Sequence, residues 1–203
     1  MGLDNNHKNV YSIGDTLKHM NLLEYTHIKV YHASRTQNIE SYLKEGIHTF
    51  TKSEVYQLAR DTLIKCGIDE KQIVKCFEKN WREQIHHFNR VCVNISKEEL
   101  LQDSGHYLVY GSEFICSMAA ELGCQNKLKN IGIPTIFECD VDIKKFTSET
   151  INMIECDNFA TGIWDGGIYI QGEIEPNEIV RYFNPPKIFD PIEYRNYFYS
   201  STT

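Results

Sequence analysis

HIKVYHASRTQNIESYLKEG, residues 27 to 46, decides how the rest of the chain is read. Its first seven residues, 27 to 33, carry the β-branched and aromatic enrichment of a strand. The segment NIESYLKEG then sets Ile39, Tyr42 and Leu43 on one face of a helix, with Gly46 placed to end it in a left-handed cap. Between the two, the strand finishes in three hydrogen-bonding side chains, His32, Ser34 and Arg35. A strand that only filled a core could finish in any turn residue, so the order strand, polar corner, short helix reads as a binding edge. The plain alternative for His32 is an internally satisfied core or edge histidine.

Downstream, Thr51-x-x-Glu54 is a capping box, followed at helical spacing by Val55, Leu58, Ala59, Leu63 and Cys66. Asp69 opens a second helix carrying Ile73, Val74, Phe77 and Trp81, so residues 51 to 88 read as a helical hairpin with an ordinary core-facing stripe. Residues 91 to 95 form a short strand, and Ser96-x-x-Glu99 caps a small helix. In GHYLVYGSEFICSMAAELG the spacing predicts a strand over 106 to 110, a corner at Gly111-Ser112 and a helix N-capped by Ser112. Residues 132 to 143 are a further strand opened by Pro134, 144 to 162 are helix and loop, and 166 to 183 are two strand-like pieces joined by Glu175-Pro176-Asn177. Residues 1 to 26 are a polar lead-in with an amphipathic stretch, Thr16 to Leu23, and the proline- and aromatic-rich tail 184 to 203 reads as an irregular wrap. The strands are separated by uneven helical stretches, which favours an α+β class with a mixed or split sheet over a doubly wound parallel one.

A length of 203 residues fits a single domain, 1 to 203, and 41% hydrophobic with 24% charged residues are ordinary globular values. The formal net charge of -7 argues against a generic nucleic-acid surface. No run approaches the roughly 18 apolar residues of a membrane helix. The first residues lack the form of a signal peptide, so a cytoplasmic protein without membrane contact is expected. Seven widely spaced cysteines without a Cys-x-x-Cys pair indicate reduced thiols, neither a disulfide framework nor a zinc ribbon. His86-His87 with His106 has no carboxylate at ligand spacing, so no metal site is expected.

Three polar clusters sit at strand ends: His32-x-Ser34-Arg35; Tyr107-x-x-Tyr110-Gly-Ser112-Glu113; and Gln171-x-Glu173 with Asp165 upstream. A mixed sheet gathers strand ends into one cleft, where imidazole, phenol and carboxylate orient a ligand and stabilise a developing cation. Each cluster has a plain counterpart: strand aromatics for Tyr107 and Tyr110, a helix cap for Ser112, a first-turn acid for Glu113, a solvated strand face for Gln171 and Glu173. No nucleophile elbow, phosphate-binding loop, dinucleotide fingerprint or zinc-protease motif is present.

The stretches YHAS…IESYLKEGI, HYLVYGSEFICSMAAEL, PTIFECDVDIKKF and GIYIQGEIEPNEI together resemble the ADP-ribosyltransferase superfamily in its His-Tyr-Glu branch. The likeness covers roughly residues 28 to 50 and 105 to 183 and leaves 51 to 88 as a helical insertion. It implies an ADP-ribosyltransferase-like sheet and NAD as substrate. It also implies that His32 and Ser34 hold the nicotinamide ribose, with Arg35 beside them, and that Tyr107 or Tyr110 stacks on the nicotinamide. A glutamate would steady the oxocarbenium-like ribose. The place of the family's glutamate holds Gly166 and Gly167, which leaves Glu113, Glu173 and Asp165 as candidates, Glu113 favoured.

The function this implies is ADP-ribosyl transfer from NAD to a macromolecular acceptor, protein or nucleic acid, in a bacterial or phage toxin or defence setting, with an antitoxin or other regulatory protein as a further partner. The alternatives are a non-catalytic nucleotide- or protein-binding module of the same fold, and an NAD-dependent RNA 2'-phosphotransferase. The latter needs a basic phosphate pocket, for which Arg35, Lys44, Arg82 and Arg90 are the candidates.

Overall fold

The computed structural model describes residues 8–13, 21–84, 90–155 and 167–200. In chain order the elements are β1 (Val10–Tyr11), β2 (His27–Thr36), α1 (Ile39–Glu45), α2 (Lys52–Lys65), α3 (Glu70–Gln84), β3 (Val91–Asn94), α4 (Lys97–Gln102), α5 (His106–Val109) and α6 (Glu113–Glu121). They continue with β4 (Ile133–Asp142), α7 (Ser148–Glu155), β5 (Gly167–Ile170), β6 (Ile179–Phe183), β7 (Lys187–Asp190) and β8 (Arg195–Phe198). A six-stranded sheet has the order β5-β3-β2-β4-β6, with β1 lying parallel to the start of β2; β7 and β8 form a separate hairpin. The α+β class with a mixed sheet therefore holds. The amphipathic stretch expected from Thr16 lies mostly outside the described residues, as do Asp165, His86 and His87.

Local chemistry explains most of the helix ends. Asn38, Thr51, Ser96 and Ser112 each accept the backbone N–H three residues on, and Glu54 completes the capping box at Thr51. Gly46 closes α1 at φ +84°, where any Cβ would also stand 2.2 Å from the Ile174 carbonyl oxygen.

The sheet separates two cores. On one face α2, α3, α5 and α6 bury Leu63, Phe77, Leu108, Phe114 and Met118 against Ile136 of β4. On the other face Ile28 and Val30 of β2 meet Phe137, Cys139 and Val141 of β4 and Ile168 and Ile170 of β5. Alternation along β2 puts His32 and Ser34 on this second face and turns Tyr31 and Ala33 to the helical core.

Two expectations need correction. Residues 106 to 110 are not a strand: His106–Val109 is a helical turn, closed by the Tyr110 amide donating to the His106 carbonyl at 2.8 Å. The adjacent residues Leu108 and Val109 are both fully buried in the same core, which a strand, with its alternating faces, does not allow. The tail is not irregular either. Lys187 to Asp190 pair residue by residue with Phe198 to Arg195, and Asp190 Oδ1 accepts the amides of Ile192 and Glu193 to make the turn.

Candidate functional site

The ladder between β2 and β4 runs for the whole length of β2, from His27↔Asp142 to Thr36↔Ile133. On its other edge β2 is paired with β3 at a single position, Tyr31↔Asn94, after which the two strands part. β3 continues its pairing with β5, where Asn94 faces Gly167 and Cys92 faces Tyr169. The result is a fork in the sheet, and His32 is the first residue of β2 beyond the last shared pair.

At the fork the carbonyl of Cys92 has no ladder partner on β2. His32 fills that role, its Nδ1 lying 2.9 Å from the Cys92 oxygen. A carbonyl only accepts, so Nδ1 carries the proton. Burial pushes the His32 pKa down, against the opposing pull of this hydrogen bond, and the ring is neutral at neutral pH. Nε2 is left as a bare acceptor without a protein partner among the described residues. Such an atom takes a hydrogen bond from a hydroxyl.

Ser34, two residues on and on the same face, has its hydroxyl 3.0 Å from that of Tyr42 on α1. Tyr42 is stacked on Phe137, ring centroids 4.6 Å apart, and His32 stands 6.4 Å from Tyr42 and 6.5 Å from Phe137. Tyr42 thus holds both site residues from behind. Sequence reading placed it only on the apolar face of α1; the one signal was a hydroxyl where a phenylalanine would pack as well.

Tyr107 approaches the fork from the helical side. Burial, with Glu113 and Cys92 close by, pushes its phenol pKa strongly up. Glu113 opens α6, with its Oε1 3.2 Å from His106 Nε2. Cys92 is near both candidates: its carbonyl takes the His32 Nδ1 proton, and it is one of the groups that raise the Tyr107 pKa. His106 and Glu113 also line a groove of about 460 Å³ with Cys116, Ser117, Gln125 and Ile192.

The remaining candidates lie elsewhere. Arg35 points to the helical side, where Nε donates to the Ile131 carbonyl at 2.8 Å, Nη1 to that of Leu108 at 3.0 Å and Nη2 to that of Lys129. Tyr110 is buried and donates to Asp190 Oδ2 at 2.7 Å, with the Lys129 ammonium 5.0 Å from its ring centroid. Burial and Asp190 push its pKa up to about 12. Neither residue faces the fork. Glu173 is exposed in the loop three residues past the β3–β5 ladder, which ends at Val91↔Ile170 away from the fork, and its backbone carbonyl, not its carboxylate, accepts from Lys145. Gln171 is exposed as well.

Among the described residues no cluster of histidine, cysteine or acidic side chains is arranged to hold a metal, and no helix is long and apolar enough to cross a membrane. The described cysteines are free thiols, buried except for Cys92; burial raises Cys66 and Cys76 to about 11, which leaves them unreactive. No protein-family model matches the chain, and no curated protein or solved structure matches it significantly.

Proposed function

We propose that the fork between β2 and β3 binds NAD and that the chain transfers ADP-ribose from it to a macromolecular acceptor. The observation that carries this reading is the neutral His32 ring, fixed by the Cys92 carbonyl with its Nε2 open to receive a hydroxyl. A ribose offers two adjacent hydroxyls, and Ser34, on the same face, suits the second. The Tyr107 ring is the surface for the nicotinamide. Glu113, the one candidate carboxylate of the described residues that raises the pKa of another candidate, Tyr107, supplies negative charge where the ribose carbon becomes cationic as nicotinamide leaves. The setting implied by the sequence resemblance, a toxin or defence protein with a cognate regulator, belongs to this same proposal.

The role of Arg35 weighs against the RNA 2'-phosphotransferase alternative. Its guanidinium is occupied by three backbone carbonyls and is not presented to a phosphate. The non-catalytic alternative keeps one favourable observation: Gly167 stands beside Asn94 at the start of β5, where the resemblance would place a glutamate.

The test is nicotinamide release from NAD by the purified chain, wild type beside His32→Ala and Glu113→Gln. We expect turnover by the wild type and a loss of about 100-fold or more in each variant. Saturable NAD binding without turnover would select the non-catalytic module. Absence of both binding and turnover would remove NAD from the account.

A further inference from the structure

Glu113 is shared between two candidate groups, Tyr107 and His106. Its carboxylate stands close enough to the Tyr107 phenol to raise that group's pKa, and it meets His106 Nε2 at 3.2 Å. The groove beyond His106 is assembled from three separate parts of the chain: the α5–α6 corner, Gln125 just after α6, and Ile192 in the β7–β8 turn. Glu113 and Cys116, three residues apart, share a face of α6. Gln125 Nε2 lies 3.1 Å from the Cys116 sulfur, and burial pushes that thiol's pKa up, so the floor of the groove is neutral. No lysine or arginine is among the described lining residues.

Resting on the NAD reading above, we infer that this groove is the acceptor site of the transfer and takes a hydroxyl-bearing protein side chain, with His106 as its base. The Glu113 carboxylate can only accept, so His106 Nε2 carries a proton, and in the neutral ring Nδ1 carries the lone pair. In the transfer, the hydroxyl oxygen forms a bond to the ribose carbon while the bond from that carbon to the nicotinamide nitrogen breaks. The bonding pair leaves with nicotinamide, which becomes neutral, and the hydroxyl proton passes to His106 Nδ1.

The lining excludes the other acceptor classes. A carboxylate, or the phosphates of a nucleic acid, would meet Glu113 with no lysine or arginine to neutralise them. An ammonium or guanidinium has no lone pair to attack with until it loses a proton, and with pKa values of about 10.4 and above 12 it does not yield one to an imidazole. A hydroxyl already has its lone pairs and gives up its proton as it attacks, which is the situation a positioned histidine serves.

The experiment uses the whole chain with NAD and three small probes, N-acetylserinamide, N-acetylargininamide and N-acetylaspartamide, reading nicotinamide release and probe-linked ADP-ribose by mass spectrometry. Wild type is compared with Ser117→Trp, in which an exposed α6 position fills the groove from its wall, and with His106→Gln; thermal midpoints confirm that both variants fold. We expect product on the serine probe, and a ratio of transferred to hydrolysed ADP-ribose that falls about tenfold or more in each variant. Product on the arginine or aspartate probe instead, no product on any probe despite nicotinamide release, or a wild-type ratio in either variant overturns the acceptor site and leaves the NAD reading standing. Absence of nicotinamide release from the wild type overturns both.

Discussion

His32 and Arg35 are three residues apart on one strand and end up doing opposite things. Arg35 turns to the helical core, and its donors reach the carbonyls of Ile131, Leu108 and Lys129, tying β2 to α5 and to the segment before β4. The network continues from there: the Lys129 ammonium pairs with Asp190 at 3.0 Å and Glu193 at 2.8 Å, and Tyr110 completes the coordination of Asp190. This lock fastens the β7–β8 hairpin over the helical side. Its polar groups are matched inside the protein. His32, turned to the other face at the point where the sheet splits, has one ring nitrogen matched and the other without a partner among the described residues. The difference teaches that a polar side chain at a strand end is a binding group only to the extent that the fold leaves it a bonding position.

If that distinction is right, the two regions respond differently to mutation, and the lock responds most. Arg35→Ala strips three part-buried carbonyls of a charged donor, and we expect a loss of about 4 kcal/mol, since each such bond is worth roughly 1.5–3 kcal/mol and stranded partners add to the cost. For a chain of this size that is a fall of roughly 8–16 °C in thermal midpoint. A change within a few degrees would break the comparison at its firmest point.

Asp190→Ala comes next. Asp190 is fully buried, and its removal leaves Lys129 and Tyr110 without their shared partner, which we expect to cost about 3 kcal/mol. Burial alone would raise the Asp190 pKa, but Tyr110, Lys129 and the amides of Glu193 and Ile192 together hold it below the ordinary carboxylate value. Because the folded value is the lower one, the unfolded chain takes up the proton first as pH falls. The stabilisation is therefore complete above about pH 4 and fades below it as the folded carboxyl begins to titrate. Thermal midpoints of wild type and Asp190→Ala should differ by a constant amount at neutral pH and converge in acid; a gap that widens in acid would contradict the assignment.

How much of this was legible follows from how local each signal is. The caps at Thr51, Ser96 and Ser112 are contacts over three residues, and the sequence shows them directly. The polar side chains of His32, Ser34 and Arg35 at the end of the strand are visible in the sequence, but which face each takes is set by the strand's continuing to Thr36. The side chains of residues 106 to 110 favour a strand, while the geometry is decided by close packing: a Cβ on Gly105 would stand 2.0 Å from the Phe189 carbonyl oxygen, in a hairpin 84 residues away. Arg35 and Tyr110 are engaged by partners that no local pattern shows, the carbonyls of Ile131, Leu108 and Lys129 for the first and Asp190, 80 residues on, for the second. The contact of the Cys92 carbonyl with His32 depends on where β2 and β3 stop pairing, and no local pattern encodes that register.

The fork should be the forgiving region for stability. His32→Ala deprives only the Cys92 carbonyl of its partner, so we expect a cost of about 1 kcal/mol, a fraction of that for Arg35→Ala, alongside the loss of NAD turnover. Tyr42→Phe is the finest cut. It keeps the ring stacked on Phe137 and removes only the hydroxyl that meets Ser34, so stability should change by less than about 1 kcal/mol. With Ser34 free to rotate, the ribose loses one prearranged partner while His32 stays in place. The KM for NAD should therefore rise by about fivefold, the worth of one neutral hydrogen bond, with kcat nearly unchanged. Equal losses in KM and kcat would mean that Tyr42 positions His32 through the stack as well as Ser34 through the hydroxyl, and Tyr42→Leu, which abolishes the stack, would then lower kcat further.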